Sequence, residues 1–222
     1  MQKRVAVILS GCGVQDGAEI HESVLTLLRL DQRGVEVQCF APDIAQHDVI
    51  NHLTGEKMPE SRNVLVESAR IARGAIKDIH EANAEDFEAL IMPGGFGVAK
   101  NLSNFAFEGV HCSLQPELLT LAEAFAESGK PIGLICISPA LAAKIYGPGV
   151  TCTIGNDPDT AKAICKMGGN HTECAVDEIV EDTARKLVST PAYMTAQSIS
   201  EAAAGINKLV DRVIELTQEN ED

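Results

Sequence analysis

A chain of 222 residues can bury one large core or at most two small ones. Its formal charge of −14, from 18 basic against 32 acidic side chains, argues against nucleic acid or anionic lipid as a partner, and no apolar run approaches a membrane span. Seven cysteines, odd in number and without a C-x-x-C pair, fit free thiols in a reducing cytoplasm better than a secreted disulfide framework.

The elements alternate strand-like and helix-like, which predicts a parallel α/β sheet. Residues 4–10 read as a buried first strand, too short for the core of a signal peptide. A glycine-rich loop, Gly11 to Gly17, follows. Asp16 and Glu19 resemble a capping box opening a helix to about Arg33, with Ile20, Val24, Leu27 and Leu28 as its core stripe. Residues 35–40 form a second strand. The more polar stretch 43–85 holds one predicted helix, 61–73. Residues 89–92 make a short central strand ending in Pro93-Gly94-Gly95-Phe96-Gly97. A helix over 116–128 feeds a strand over 131–135. Beyond it come a strand over 150–154, a helix over 157–167, strands over 172–180 and 186–190, and a long amphipathic final helix. With neither linker nor repeat, residues 1–222 read as a single domain.

Cys136 falls between the strand at 131–135 and the helical start Ser138-Pro139-Ala140-Leu141, where proline is tolerated because its missing N–H would be unpaired. A strand-to-helix turn can hold a nucleophile above a parallel sheet. A small buried core cysteine is an equal alternative at this point. Ligands of such sheets bind beyond the carboxyl ends of the strands, where the Gly11–Gly17 loop, Pro93–Gly97 and the Cys136 turn would converge. Gly94-Gly95 could aim N–H groups at an oxyanion, or simply make a tight turn. The first loop misses the dinucleotide fingerprint by one residue, so nucleotide binding is a weak reading despite Asp43. No His/Cys/Asp cluster has metal-ligand spacing. His21 adjoins Glu22 on a different helix face, which suits a dimer or core role better than catalysis, while His52 and His111 lie in loop-like segments that could reach the cleft of either subunit.

Several segments together resemble the PfpI/ThiJ-type branch of the class I glutamine amidotransferase-like superfamily, and within it the group of bacterial glyoxalase-type proteins that enhance lycopene biosynthesis. They are Val7-Ile8-Leu9-Ser10-Gly11-Cys12-Gly13, Asp16-Gly17 with Glu19-Ile20-His21-Glu22, residues 49–56, Pro93-Gly94-Gly95-Phe96-Gly97, residues 100–106, Cys136-Ile137 and Thr190-Pro191-Ala192-Tyr193-Met194. The resemblance implies a flavodoxin-like three-layer sandwich with a mostly parallel central sheet, a family-specific insertion at about 43–85, and a homodimer. It places the nucleophile on Cys136, its partner acid on Glu22, and oxyanion donors on Gly94, Gly95 and the N–H of Ile137.

The chain departs from the hydrolases of that superfamily. Ile137 stands where they often carry histidine, and Thr153-Ile154-Gly155-Asn156 supplies none from the next strand. A cysteine–glutamate pair without imidazole is therefore expected, with protonated Glu22 donating to an ionised sulfur and so lowering the thiol's pKa. The implied activity is cofactor-independent conversion of glyoxal or methylglyoxal to the hydroxy acid, without metal or glutathione. Its alternatives are a redox or stress sensor using the same sulfur, and an accessory protein of isoprenoid biosynthesis.

Overall fold

The computed structural model describes residues 3–218. Seven strands form the main sheet: β1 (Arg4–Ile8), β2 (Glu36–Ala41), β3 (Ile76–Asp78), β4 (Ala89–Met92), β5 (Ile132–Ile135), β8 (Val180–Asp182) and β9 (Leu187–Thr190). Two short strands, β6 (Thr151–Cys152) and β7 (Asn170–His171), pair separately. The order across the main sheet is β3-β2-β1-β4-β5-β9-β8, parallel except where β8 runs against β9. Successive connections run outward from β1 in one direction and then restart at β4 in the other. That reversal opens a crevice above β1, β4 and β5. The fold is the flavodoxin-like α/β sandwich.

Both faces of the sheet are covered, and the strands are accordingly apolar without a break. On one face Ala6, Ile8, Leu90, Met92, Ile132 and Leu134 pack against Leu118, Leu121 and Phe125 of α5 (Pro116–Glu127). On the other, Val5, Val7, Ala89, Ile91 and Val188 meet Leu209, Val210 and Val213 of α8 (Ile199–Gln218). Gly133 of β5 lets α8 approach, since a Cβ there would lie 2.8 Å from Leu209 Cδ2.

The helix α1 (Ile20–Gln32) corrects two expectations. Its cap is Glu19, whose Oε2 accepts the Glu22 N–H at 2.7 Å, while Asp16 is buried and accepts the Ile50 N–H at 2.8 Å. Its core face also departs from the expected stripe, of which only Leu27 packs, partly buried, against the core. Ile20, Val24 and Leu28 are 41, 47 and 47 % exposed, whereas Glu22, Ser23, Thr26 and Leu30 are buried. The two hydroxyls are satisfied within the helix, Ser23 Oγ donating to Glu19 O and Thr26 Oγ1 to Glu22 O, so burying them costs little. The slim face then lies close to α8, where Arg29 pairs with Asp211 at 2.6 Å.

The stretch 43–85 is more regular than its composition predicts. Asn63 caps α2 (Val64–Ile71), and β3 joins the edge of the main sheet beside β2. The expected strand over 172–180 is instead an extended connection between β7 and β8, held by Thr190 Oγ1 donating to Glu178 O at 2.8 Å. The helices α3 (Phe96–Lys100) and α4 (Phe105–Glu108) follow β4, and α6 (Ala142–Tyr146) and α7 (Pro158–Lys166) follow β5 and β6.

Candidate active site

The three loops expected to converge do so. Glu19 N donates to Gly94 O at 2.9 Å, Phe96 N to Val14 O at 2.8 Å and Gly97 N to Gly17 O at 2.9 Å, which ties the loop after β1 to the loop after β4. Asn101 stitches the assembly from beneath. Its Nδ2 donates to Ser10 O and Asp16 O at 2.9 and 3.0 Å, and its Oδ1 accepts the His47 N–H at 2.9 Å. The loop after β5 joins through Ser138 Oγ, which donates to Pro93 O at 2.9 Å.

Cys136 occupies the turn with φ of 65°, a left-handed conformation that costs a non-glycine residue about 1–3 kcal/mol. The surroundings hold it there. Its N–H donates to Thr190 O at 3.0 Å, and the following residues enter a 3-10 turn, Ser138–Leu141, that continues into α6. The sulfur is thereby lifted out of the sheet toward the crevice, yet the residue remains 8 % exposed.

Glu22 comes from the buried face of α1 and is wholly enclosed. Its Oε2 accepts the Gly94 N–H at 2.9 Å and its Oε1 accepts the Tyr193 N–H at 3.2 Å. The carboxyl interacts directly with the Cys136 thiol. Burial, reinforced by the charge of neighbouring Glu19, pushes the Glu22 carboxyl up to about 7. The thiol rises well above its ordinary value, first through burial and then through the charge of Glu22, opposed by N–H groups of Gly95 and Ile137 that face the sulfur. The raised carboxyl is as expected, but the thiol is pushed up with it rather than lowered.

Gly94 is corrected as well. Its N–H is committed to Glu22, which leaves Gly95 and Ile137 as donors toward the sulfur and whatever binds to it. What position 94 supplies is space: a Cβ there would lie 2.7 Å from Glu22 Oε2, 3.0 Å from Cys136 Sγ, and closer still to Cys136 Cβ. Gly95, at φ of 99°, passes so near the Gly17 carbonyl that a side chain would collide.

A cavity of about 450 Å³ opens on the sulfur. Phe96, Phe105, Ile137 and Met194 line it, and Tyr193, Asp157 and Thr160 are its polar wall. Among the described residues no histidine lines it. His21 instead pairs with the Tyr193 hydroxyl at 2.7 Å, His52 accepts the Gln15 N–H at 3.1 Å, and His47 stacks on Phe107. Cys12 does not line it either. Tyr193, Phe96 and Asp157 escape sequence reasoning because they arrive from three separate elements. Asp157 is legible only as the cap of α7, accepting the Thr160 N–H at 2.8 Å. No group of three or more His, Cys, Asp or Glu able to hold a metal occurs among the described residues.

A flavodoxin-like sheet carrying a strained cysteine at a strand-to-helix turn, backed by a buried glutamate, defines a class I glutamine amidotransferase-like protein. Within that class the chain belongs to the DJ-1/PfpI family, whose model matches residues 3–198. It is 46 % identical over 224 residues to the glutamine amidotransferase-like class 1 domain-containing protein 3, mitochondrial, of Homo sapiens, covering 96 % of this chain and 83 % of that one. A crystal structure of an isoprenoid biosynthesis protein with amidotransferase-like domain from Ehrlichia chaffeensis superposes with a TM-score of 0.90 at 41 % identity, over 96 % of this chain and 99 % of the other. Glyoxalase III from Candida albicans shares the fold at a TM-score of 0.61 and 14 % identity, over 96 and 97 % of the two chains.

Proposed function

We propose that this chain is a cofactor-independent glyoxalase-type enzyme of the ElbB kind, converting α-oxoaldehydes such as glyoxal and methylglyoxal to hydroxy acids. The observation that carries the reading is a thiol lining a cavity and in contact with a fully buried carboxyl behind it, which burial raises to about 7. A base near the operating pH accepts a proton without holding it too tightly. Glu22 takes the thiol proton as Cys136 sulfur bonds to the aldehyde carbon, and the resulting oxyanion lies toward the Gly95 and Ile137 N–H groups. Glu22 returns the proton to that oxygen, giving the neutral hemithioacetal. It then removes the hydrogen from the same carbon, forming an enediolate; the hydroxyl proton passes to the neighbouring oxygen, and Glu22 reprotonates the adjacent carbon, leaving a thioester. Water hydrolyses the thioester, releasing the hydroxy acid and the free thiol. Oxidation of one carbon balances reduction of its neighbour, so no external oxidant or reductant enters.

Proton NMR of the purified protein with glyoxal tests this, with glycolate as the product. Cys136→Ala should yield none, and glycolate formation at the wild-type rate by that variant overturns the reading.

Two further proposals accompany it. The outward stripe of Ile20, Val24 and Leu28 on α1 supports a homodimer, measurable by sedimentation. The scattered free cysteines support a reducing compartment such as the cytoplasm. Two alternative roles have specific support. A cavity without histidine among its described lining favours oxidant sensing by Cys136, in which case peroxide would give sulfinic acid and glyoxal no product. The name of the Ehrlichia chaffeensis relative favours an accessory role in isoprenoid biosynthesis, which a partner captured through residues 43–85 would support.

A further inference from the structure

The cavity is far larger than glyoxal requires. At roughly 30 Å³ for each water-sized group, its volume of about 450 Å³ accommodates on the order of fifteen such groups. Beyond the reacting sulfur its wall is mostly apolar, with Phe96, Phe105, Ile137 and Met194 facing the space. Phe96 is 53 % exposed at its mouth, so apolar surface there remains wet until a ligand covers it.

Its charge is one-sided. Asp157 brings a carboxylate to the wall, held ionised by hydrogen bonds from Thr160, and among the described residues no Lys, Arg or His lines the cavity. Lys100, whose Nζ lies 5.5 Å from the Phe96 ring centre, is paired with Asp48 and the Gln15 carbonyl. Carboxylate or phosphate on a substrate would therefore meet a like charge with no cation to offset it.

We propose that the site selects α-oxoaldehydes bearing an uncharged apolar arm, aryl or branched alkyl, over glyoxal and methylglyoxal, and rejects those carrying an anionic group. The inference rests on the aldehyde-addition reading above and narrows its substrate class. Phenylglyoxal is the model substrate: thiol addition, proton transfer between its two carbons and hydrolysis convert it, with one water, to mandelate. The aryl ring would occupy the Phe96–Phe105 side, where each buried apolar group contributes to discrimination.

Two measurements test it. The first compares kcat/KM for phenylglyoxal and methylglyoxal, with about a tenfold preference for phenylglyoxal expected. The second reads ligand choice without turnover, as protection of Cys136 from iodoacetamide, followed by mass spectrometry. Acetophenone should protect, and benzoate should need about tenfold more. In Asp157→Asn, which keeps the helix-capping oxygen, the two should converge. Equal or better kinetics with methylglyoxal, or equal protection by benzoate in the wild type, overturns the inference and leaves the catalytic reading intact. Selective protection by acetophenone with no aldehyde turned over supports the ligand class and overturns the catalytic reading instead.

Discussion

Gly94 donates its N–H to Oε2 of Glu22 at 2.9 Å, and the absence of a side chain at position 94 is what lets the carboxyl and the Cys136 sulfur share one corner. The Cβ of Gly94→Ala would overlap Cys136 Cβ, which is fixed to the backbone, and crowd Glu22 Oε2, which two backbone N–H groups hold in place together with Oε1. The variant should lose about 2–4 kcal/mol of unfolding free energy in urea and nearly all turnover. A stable, active Gly94→Ala protein would show that the pair is not built as described.

The pH dependence of kcat/KM should rise with an apparent pKa near 7, because Glu22 must be ionised to accept the thiol proton. Glu22→Gln should lower kcat/KM by about 10²–10⁴-fold and abolish that limb. An unchanged profile in the glutamine variant would remove Glu22 from the reaction.

Stability should carry the same signature with a definite sign. The folded-state carboxyl titrates near 7, against an ordinary value of 4.5, so the protonated form favours folding. That contribution is complete below about pH 4.5 and is lost as pH rises through 7, an effect of about 3 kcal/mol. Wild type minus Glu22→Gln unfolding free energies, measured across this window, should therefore decline with pH. A flat difference would place the carboxyl's pKa at its ordinary value.

The Cys136 thiol should become more acidic in Glu22→Gln, since the substitution removes a charge that holds it up while leaving it buried. The pH profile of iodoacetamide alkylation at Cys136 reads this directly, and a shift toward higher pH would contradict it.

Asn101→Asp should cost several kcal/mol, on the order of 2–4, by setting carboxylate oxygen against the Ser10 and Asp16 carbonyls in place of two N–H donors. Asn101→Ala should cost less, because no charge is then buried. Urea midpoints of the two variants give the ordering.

The architecture was largely legible because it depends on unbroken apolar runs such as Ala89 to Met92, which the sheet needs when both faces are covered. The convergence of three loops followed from strand direction alone. The face of α1 was not legible. Period and hydropathy select Ile20, Val24 and Leu28 for the core, yet the helix is turned by contacts distant in sequence, Glu22 with Gly94 and Tyr193 and Arg29 with Asp211. No local pattern contains those partners. The direction of the thiol's pKa shift was missed for the same reason, since it follows from how completely Cys136 and Glu22 are enclosed.

Glu22 has no surface of its own and sits behind the Cys136 sulfur rather than on the cavity wall, so it reaches only a molecule already joined to that atom. Capping that atom strands the acid behind a closed door. Formate or acetate supplied from solution should accordingly fail to restore Glu22→Ala, in contrast to enzymes whose missing carboxylate leaves an open hole. Blockade of Cys136 should act as an all-or-none switch rather than as a graded loss.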